Sequence, residues 1–276
     1  MKASSIVKWA GGKTKLLPQL LARVPAQFGW YYEPFAGGAA LFFALGPQSA
    51  TIADVNPALV MFYRTVVSDL DGLIEVALSH KARHADKMYY YDVRRRWNDP
   101  TTRSMMSPTE TSGTFIYLNK TCFNGLWREN LRGDFNVPRG DYSNPVIVDE
   151  AALRAARDVL VGVRIDLGSF QDTTADARAG DFAYFDPPYD PLSETSSFTS
   201  YTATAFGKAE QRALADHARE LDARGVFVML SNNDTPFVRS LYRGFLIETV
   251  PCGKSINAKG DGRGKIDEVI ITNRRA

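Results

Sequence analysis

The sequence predicts an α/β fold: a mostly parallel sheet interrupted by a smaller, mainly helical region. Three observations predict it. Short apolar runs bounded by turn residues alternate with helical periodicity at both ends of the chain. Pro57 behind Asn56, and Pro236 behind Thr235, look like first-turn prolines after capping residues. From about Thr65 to Val148 the alternation fades, and Tyr, Arg, Asn and Pro become richer.

The expected strands are Trp30–Phe35, Ala50–Val55, Arg164–Leu167, Phe182–Phe185, Val226–Leu230, Phe245–Val250 and Glu268–Thr272. Ala40–Leu45 reads as an apolar helix. Glu150–Val161 puts Leu153, Ala156, Val159 and Leu160 on one helical face, and Lys208–Ala223 does the same with Leu214, His217, Ala218 and Leu221.

Composition removes whole classes. At 276 residues, 45% hydrophobic and 23% charged, the chain can bury a real core and is neither disordered nor fibrous. It has no apolar run of about eighteen residues, so no membrane-spanning helix is expected. Lysines 8, 13 and 15 interrupt the N-terminus before a signal peptide could form. Cys122 and Cys252 make neither a disulfide framework nor a metal pair, which fits a reducing cytoplasm. His80 and His84 lie four apart, but no Glu or Cys completes a metal set with them or with His217. The net charge of +2 hides an asymmetry. Residues 1–59 and 60–147 carry a basic excess, and 148–276 an acidic one. Arg94-Arg95-Arg96 and Lys254–Lys265 are basic clusters, either phosphate contacts or solvated surface.

Four segments carry chemistry, and their order matters. Lys8-Trp9-Ala10-Gly11-Gly12-Lys13-Thr14 tempts toward a phosphate loop, but that motif needs glycine where Val7 stands. Tyr31-Tyr32-Glu33-Pro34-Phe35-Ala36-Gly37-Gly38-Ala39 runs a strand into a small-residue turn before a helix, where a ligand can approach the backbone. Asp54 ends the next strand, seventeen residues after Gly37, where nucleoside-binding folds place an acid on ribose hydroxyls. The alternative is that Asp54 caps a helix. Last comes Tyr184-Phe185-Asp186-Pro187-Pro188-Tyr189. Its two prolines stiffen the backbone and leave Asp186 and the Pro187 carbonyl as acceptors beside an aromatic ring. An amino group stacked on that ring would satisfy both; a stiff turn with a core tyrosine is the plainer alternative.

Together these segments resemble the Dam-type DNA adenine-N6 methyltransferases, from Lys8 to about Asn273. The likeness includes Tyr117–Arg128, Asn130–Pro138, Pro191-Leu192-Ser193 and Ser231-Asn232. It implies a Rossmann-like methyltransferase domain (1–59 and 148–276) interrupted by a target-recognition domain (60–147). It implies S-adenosylmethionine as methyl donor, double-stranded DNA as partner, no membrane and no obligate protein partner. Residue by residue, the resemblance implies that Trp9, Lys13, Phe35, Gly37, Asp54 and Asp186 bind the cofactor. Asp186, Pro187 and Tyr189 would be catalytic. Lys8, Leu126, Arg128 and Tyr142 would read bases of GATC. Phe123 stands where the family usually has an intercalating tyrosine, and Asn124 beside it would meet the orphaned thymine. Ala39 departs from the pattern, because many members have glycine there; alanine is less comfortable if φ is positive. Relatives with Ser-Pro-Pro-Tyr methylate cytosine N4, and those with Asn-Pro-Pro-Tyr include RNA and protein-glutamine enzymes. A DNA-binding protein that has lost catalysis is the reading from another class.

Overall fold

The computed structural model describes residues 3–191, 206–251 and 267–274. Cys252, Leu192-Ser193 and the basic stretch Lys254–Lys265 lie outside them.

Among the described residues seven strands form one sheet: β1 Tyr31–Glu33, β2 Ala50–Asp54, β3 Arg164–Leu167, β4 Phe182–Phe185, β5 Phe227–Asn233, β6 Leu246–Pro251 and β7 Asp267–Thr272. Their order is β3-β2-β1-β4-β5-β7-β6. The first five strands pair in parallel, while β7 is antiparallel to both β5 and β6. From β1 the chain steps outward through β2 to β3, then returns to lay β4 on β1's other side. The carboxyl ends of β1 and β4 therefore flank the point where winding reverses, where open α/β sheets bind ligands.

The helices are α1 Leu17–Leu21, α2 Ala40–Leu45, α3 Pro57–Ser68, α4 Leu70–Ala82, α5 Lys87–Asn98, α6 Pro100–Met105, α7 Pro108–Thr121, α8 Glu150–Leu160, α9 Phe170–Thr173, α10 Lys208–Ala223 and α11 Pro236–Leu241. Local chemistry fixes many of their starts. The Asn56 side chain accepts the Ala58 and Leu59 amides ahead of Pro57, and Thr235 accepts the Val238 amide ahead of Pro236. Ser107 and Glu110 close a capping box at α7, an arrangement that contributes roughly 1 kcal/mol.

Two apolar clusters sandwich the sheet. One gathers Leu214, Ala218 and Leu221 of α10 against Ala183, Phe185 and Val228. The other joins Tyr31, Ile52, Phe182 and Met229 to buried residues of the helical region, among them Tyr90, Trp97, Phe115 and Tyr117. Each fully buried large side chain contributes about 1.5–3 kcal/mol. Helix α3 crosses residue 60 and packs against α7, so chain continuity and core both tie the helical region to the sheet.

His80 and His84 lie in this core. His80 bonds the Tyr89 hydroxyl at 2.8 Å and the Thr114 hydroxyl at 3.1 Å. Burial, followed by Arg96 and Arg83, pushes its pKa down to about 4, so it is a neutral core group.

Candidate active site

At the end of β1, residues 37–39 turn the chain sharply into α2. Gly37 has φ +46, and a Cβ there would lie 2.6 Å from Trp9 Cδ1, so glycine is required for both conformation and space. The Tyr63 hydroxyl donates to the Gly37 carbonyl at 2.8 Å. Ala39 is left-handed too, with φ 49 and ψ 41, and caps α2 without a side-chain hydrogen bond. That conformation costs an alanine roughly 1–2 kcal/mol.

Asp54, at the end of β2, accepts the Gly37 amide at 3.0 Å and the Asn56 amide at 2.9 Å. The helix cap is Asn56, so Asp54 is no cap; it ties the β1 turn to the β2 turn. Burial raises its pKa, and the Asn56 and Gly37 amides oppose that shift.

Asp186 follows β4 directly. Lys13 Nζ lies 2.8 Å from its Oδ2, and Ser231 Oγ donates to its Oδ1 at 2.8 Å. Lys13 also donates to the Gly11 carbonyl and sits 4.7 Å from the centre of the Tyr189 ring. The Tyr184 hydroxyl meets Ser231 Oγ at 2.9 Å. The turn beyond is clamped at several points. Gln211 donates to the Pro188 carbonyl at 2.8 Å, Asn232 accepts the Asp190 amide at 3.0 Å, and Thr235 donates to the Asp190 carboxylate at 2.7 Å. Pro187 is buried and Tyr189 half-buried. Burial, then the Asp186 charge, raises the Tyr189 pKa well above its ordinary value, so the phenol keeps its proton. The result is a fixed acceptor beside an aromatic ring.

Glu33 deepens the same corner. It is 2% exposed on β1, and its Oε2 accepts the Tyr31 hydroxyl at 2.7 Å and the Phe42 amide at 2.9 Å. It thereby supplies α2 with the acceptor that Ala39 cannot. Burial dominates its titration and, with Asp186 nearby, lifts the pKa to about 8 against the hydrogen bonds and Lys13. Unfolded, the group ionises near its ordinary 4.5. Between those values the unfolded chain binds fewer protons than the native one, so stability falls as pH rises and levels off above about 8. Glu33→Gln cannot ionise. Its Tm should gain on wild type between pH 5 and about 8 and then run parallel; a constant difference across that range would mean that native Glu33 is already charged.

A second group of residues surrounds the start of the chain and the end of α7. Asn119 is buried and grips the Lys8 backbone from both sides, accepting its amide at 2.9 Å and donating to its carbonyl at 2.6 Å. Lys8 Nζ lies over the Tyr142 ring at 4.1 Å and donates to the Lys120 carbonyl at 3.2 Å. Burial and the neighbouring Lys8 push the Lys120 ammonium down to about 8. Asn124 (φ 54) and Gly125 (φ +64) make a tight left-handed turn closed by the Leu126 amide on the Phe123 carbonyl. Gly125 passes so close to Lys8 that a Cβ would lie 2.4 Å from the lysine's Cβ.

This turn leaves Phe123 51% exposed, while Leu126 packs on the core. Arg128 is exposed on the first arm of a small antiparallel loop bridged at Glu129 and Phe135. Its Nε donates to Asn136 Oδ1 at 2.8 Å.

The structure thus brings Lys13, Asp186 and Tyr189 together, links Trp9, Gly37 and Asp54 around one turn, and pairs Lys8 with Tyr142. Phe35 lies in an aromatic group with Phe170, Phe185 and Phe206. Phe123, Asn124 and Arg128 stand on the exposed loops beyond α7. Sequence reasoning assigned no role to Glu33, Asn119, Ser231 or Glu268. An acid inside an apolar strand was the available signal for Glu33.

The comparisons with known proteins agree with one another. The pattern of D12 class N6 adenine-specific DNA methyltransferases matches residues 9–251. A Type II methyltransferase, M1.LlaDCHI of Lactococcus lactis subsp. cremoris, is 42% identical over 96% of this chain and 94% of its own. M.MjaIII, a Type II methyltransferase of Methanocaldococcus jannaschii, is 40% identical over 99% and 100%. A DNA adenine methylase of Vibrio cholerae is 34% identical over 98% and 95%. With a family pattern spanning most of its length and relatives matched nearly end to end, the chain belongs to the D12 class of N6 adenine-specific DNA methyltransferases.

Proposed function

We propose that this enzyme transfers a methyl group from S-adenosylmethionine to N6 of an adenine swung out of duplex DNA, within the sequence GATC. The observation that carries the reading is the Asp186 carboxylate, fixed between Lys13 and Ser231 at the winding-reversal point and flanked by Tyr189. An adenine inside a base pair cannot align its amino group with a donor methyl, so the base must leave the stack. Tyr189 stacks on it. Asp186 and the Pro187 carbonyl accept the two amino hydrogens and turn the nitrogen lone pair outward. When bound, S-adenosylmethionine supplies an electrophilic methyl on a sulfonium that is already a good leaving group. Positioning is therefore the chain's chief contribution.

The residues present fit that donor. Gly37 lies so close to Trp9 that any Cβ would obstruct it, Asp54 accepts the Gly37 amide, and Asp186 pairs with Lys13. Trp9, Lys13, Phe35, Gly37, Asp54 and Asp186 would hold it. Residues 1–59 and 148–276 then serve binding and transfer, and residues 60–147 serve target recognition. Lys8, Leu126, Arg128 and Tyr142 read the sequence, with Asn124 against the unpaired thymine. No helix among the described residues is long and apolar enough to cross a membrane.

Purified enzyme should move labelled methyl from S-adenosylmethionine to adenine in GATC duplexes and spare duplexes lacking GATC. Efficient methylation of the latter refutes the specificity. Lys13→Ala and Asp54→Ala should each weaken cofactor binding in calorimetry with the fold intact; unchanged affinity in both removes them from the site.

Phe123 would enter the gap left by the adenine, a wedge role that apolar side chains fill. With 2-aminopurine at the target, Phe123→Ala should give a smaller fluorescence rise than wild type. An equal rise assigns Phe123 to surface packing alone.

A further inference from the structure

Glu268 is 2% exposed on β7, and its Oε2 accepts the Tyr189 hydroxyl at 3.1 Å. We propose that Glu268 is a positioning residue for methyl transfer, holding the Tyr189 ring in the plane on which the target adenine stacks. The inference rests on the role given to Tyr189 in the proposed function.

The sheet explains why an acid stands there. In the antiparallel ladder Glu268 is opposite Asn233, and Ile270 is opposite Ser231. Cross-strand partners share a face, and so do residues two apart. Glu268 and Ser231 therefore rise from one face of the sheet, the face on which Ile270 and Met229 join the apolar core. Ser231 holds Asp186 from that face, and Glu268 holds Tyr189 from it. Both groups that would meet the adenine are thus anchored to adjacent strands rather than to their own turn.

A buried carboxyl group is costly unless hydrogen bonds repay its lost hydration. A tyrosine ring held only by its Cβ can swing about two torsions, and each swing tilts the stacking plane. Pinning the phenol at the far end of the ring stops the swing about the first torsion, and because a phenolic O–H prefers the ring plane, its bond to Glu268 also favours one setting of the second. Small misplacements of a reacting group are expensive, up to about 100-fold in rate.

The test is a double-mutant cycle in single-turnover methylation of a GATC duplex with the full-length enzyme. Glu268→Ala should slow transfer about 10- to 100-fold while leaving S-adenosylmethionine affinity unchanged. Glu268→Gln keeps an acceptor oxygen and should restore most of the rate. Tyr189→Phe keeps the ring but not the hydroxyl, and should lose about as much as Glu268→Ala. The double variant should be no slower than either single one. Multiplicative losses in the double variant overturn the proposal, as does a Glu268→Gln enzyme as slow as Glu268→Ala with an unchanged Tm. An inactive wild type would instead refute the proposed function itself.

Discussion

Asp186→Ala should abolish methyl transfer, and Asp186→Asn should leave it slow but measurable, with DNA binding kept in both. The carboxylate is held at each oxygen, Oδ2 by Lys13 and Oδ1 by Ser231. Asparagine can preserve that frame. Its oxygen would take the place beside the Lys13 ammonium, and its amide the place beside the Ser231 hydroxyl, which can also accept. One acceptor then survives near the substrate amino group; alanine offers none. A hydrogen bond to a charged group contributes about 1.5–3 kcal/mol, and a neutral one about 0.5–1.5. A rate for Asn well below wild type and well above Ala follows. If the charge itself were needed, to take a proton or stabilise a developing ammonium, Asn would fail almost as completely as Ala. Single-turnover rates with cofactor bound decide between them: equal inactivity of both variants defeats the positioning account.

Much of this arrangement was legible in the sequence, because strand ends and their turns are local. All seven expected strands form, and Asn56, Pro57, Thr235 and Pro236 start helices as their chemistry requires. The errors are at the edges. Strand β1 stops at Glu33 because Pro34 cannot extend the ladder, which leaves Phe35 in the turn. Val226 gives its amide to Leu221 and finishes α10 instead of opening β5. Strand β5 runs on to Asn233 because β7 pairs with that extra length, a contact between distant segments. The helical region was harder to read. Helix α7 is buried almost all round and carries Thr111, Ser112, Gly113 and Thr114 inside, so it shows no amphipathic period. Those small residues permit close packing: a Cβ on Gly113 would lie 2.4 Å from Val76 Cγ1. Within the site, Asp186 and Tyr189 announce themselves by a contiguous motif. Their supports, Ser231 and Glu268, are 45 and 79 residues away from their partners and gain meaning only once the sheet is assembled.

Arg128→Ala should cost about 1–3 kcal/mol of discrimination against a wrong base, roughly 5- to 150-fold in relative rate. The loop holds this side chain in a way that suits the base-reading role proposed for it. Asn136 takes the Nε–H at 2.8 Å, which orients the guanidinium plane, and the two terminal nitrogens make no hydrogen bond among the described residues. Their parallel donors match guanine O6 and N7 in the major groove. Lysine has the charge without the planar fork, so Arg128→Lys should keep the salt dependence of DNA binding while losing most of the discrimination. Arg128→Ala should lose discrimination, and if the guanidinium also meets phosphate its salt slope should fall by about one. Asn136→Ala leaves the arginine in place but frees its plane, and should cost less than removing it. The measurement is the ratio of methylation rates on GATC duplexes and on duplexes with the guanine replaced, for all three variants. A Lys variant as selective as wild type would mean that Arg128 contributes charge alone, and base reading would then rest with Lys8, Leu126 and Tyr142.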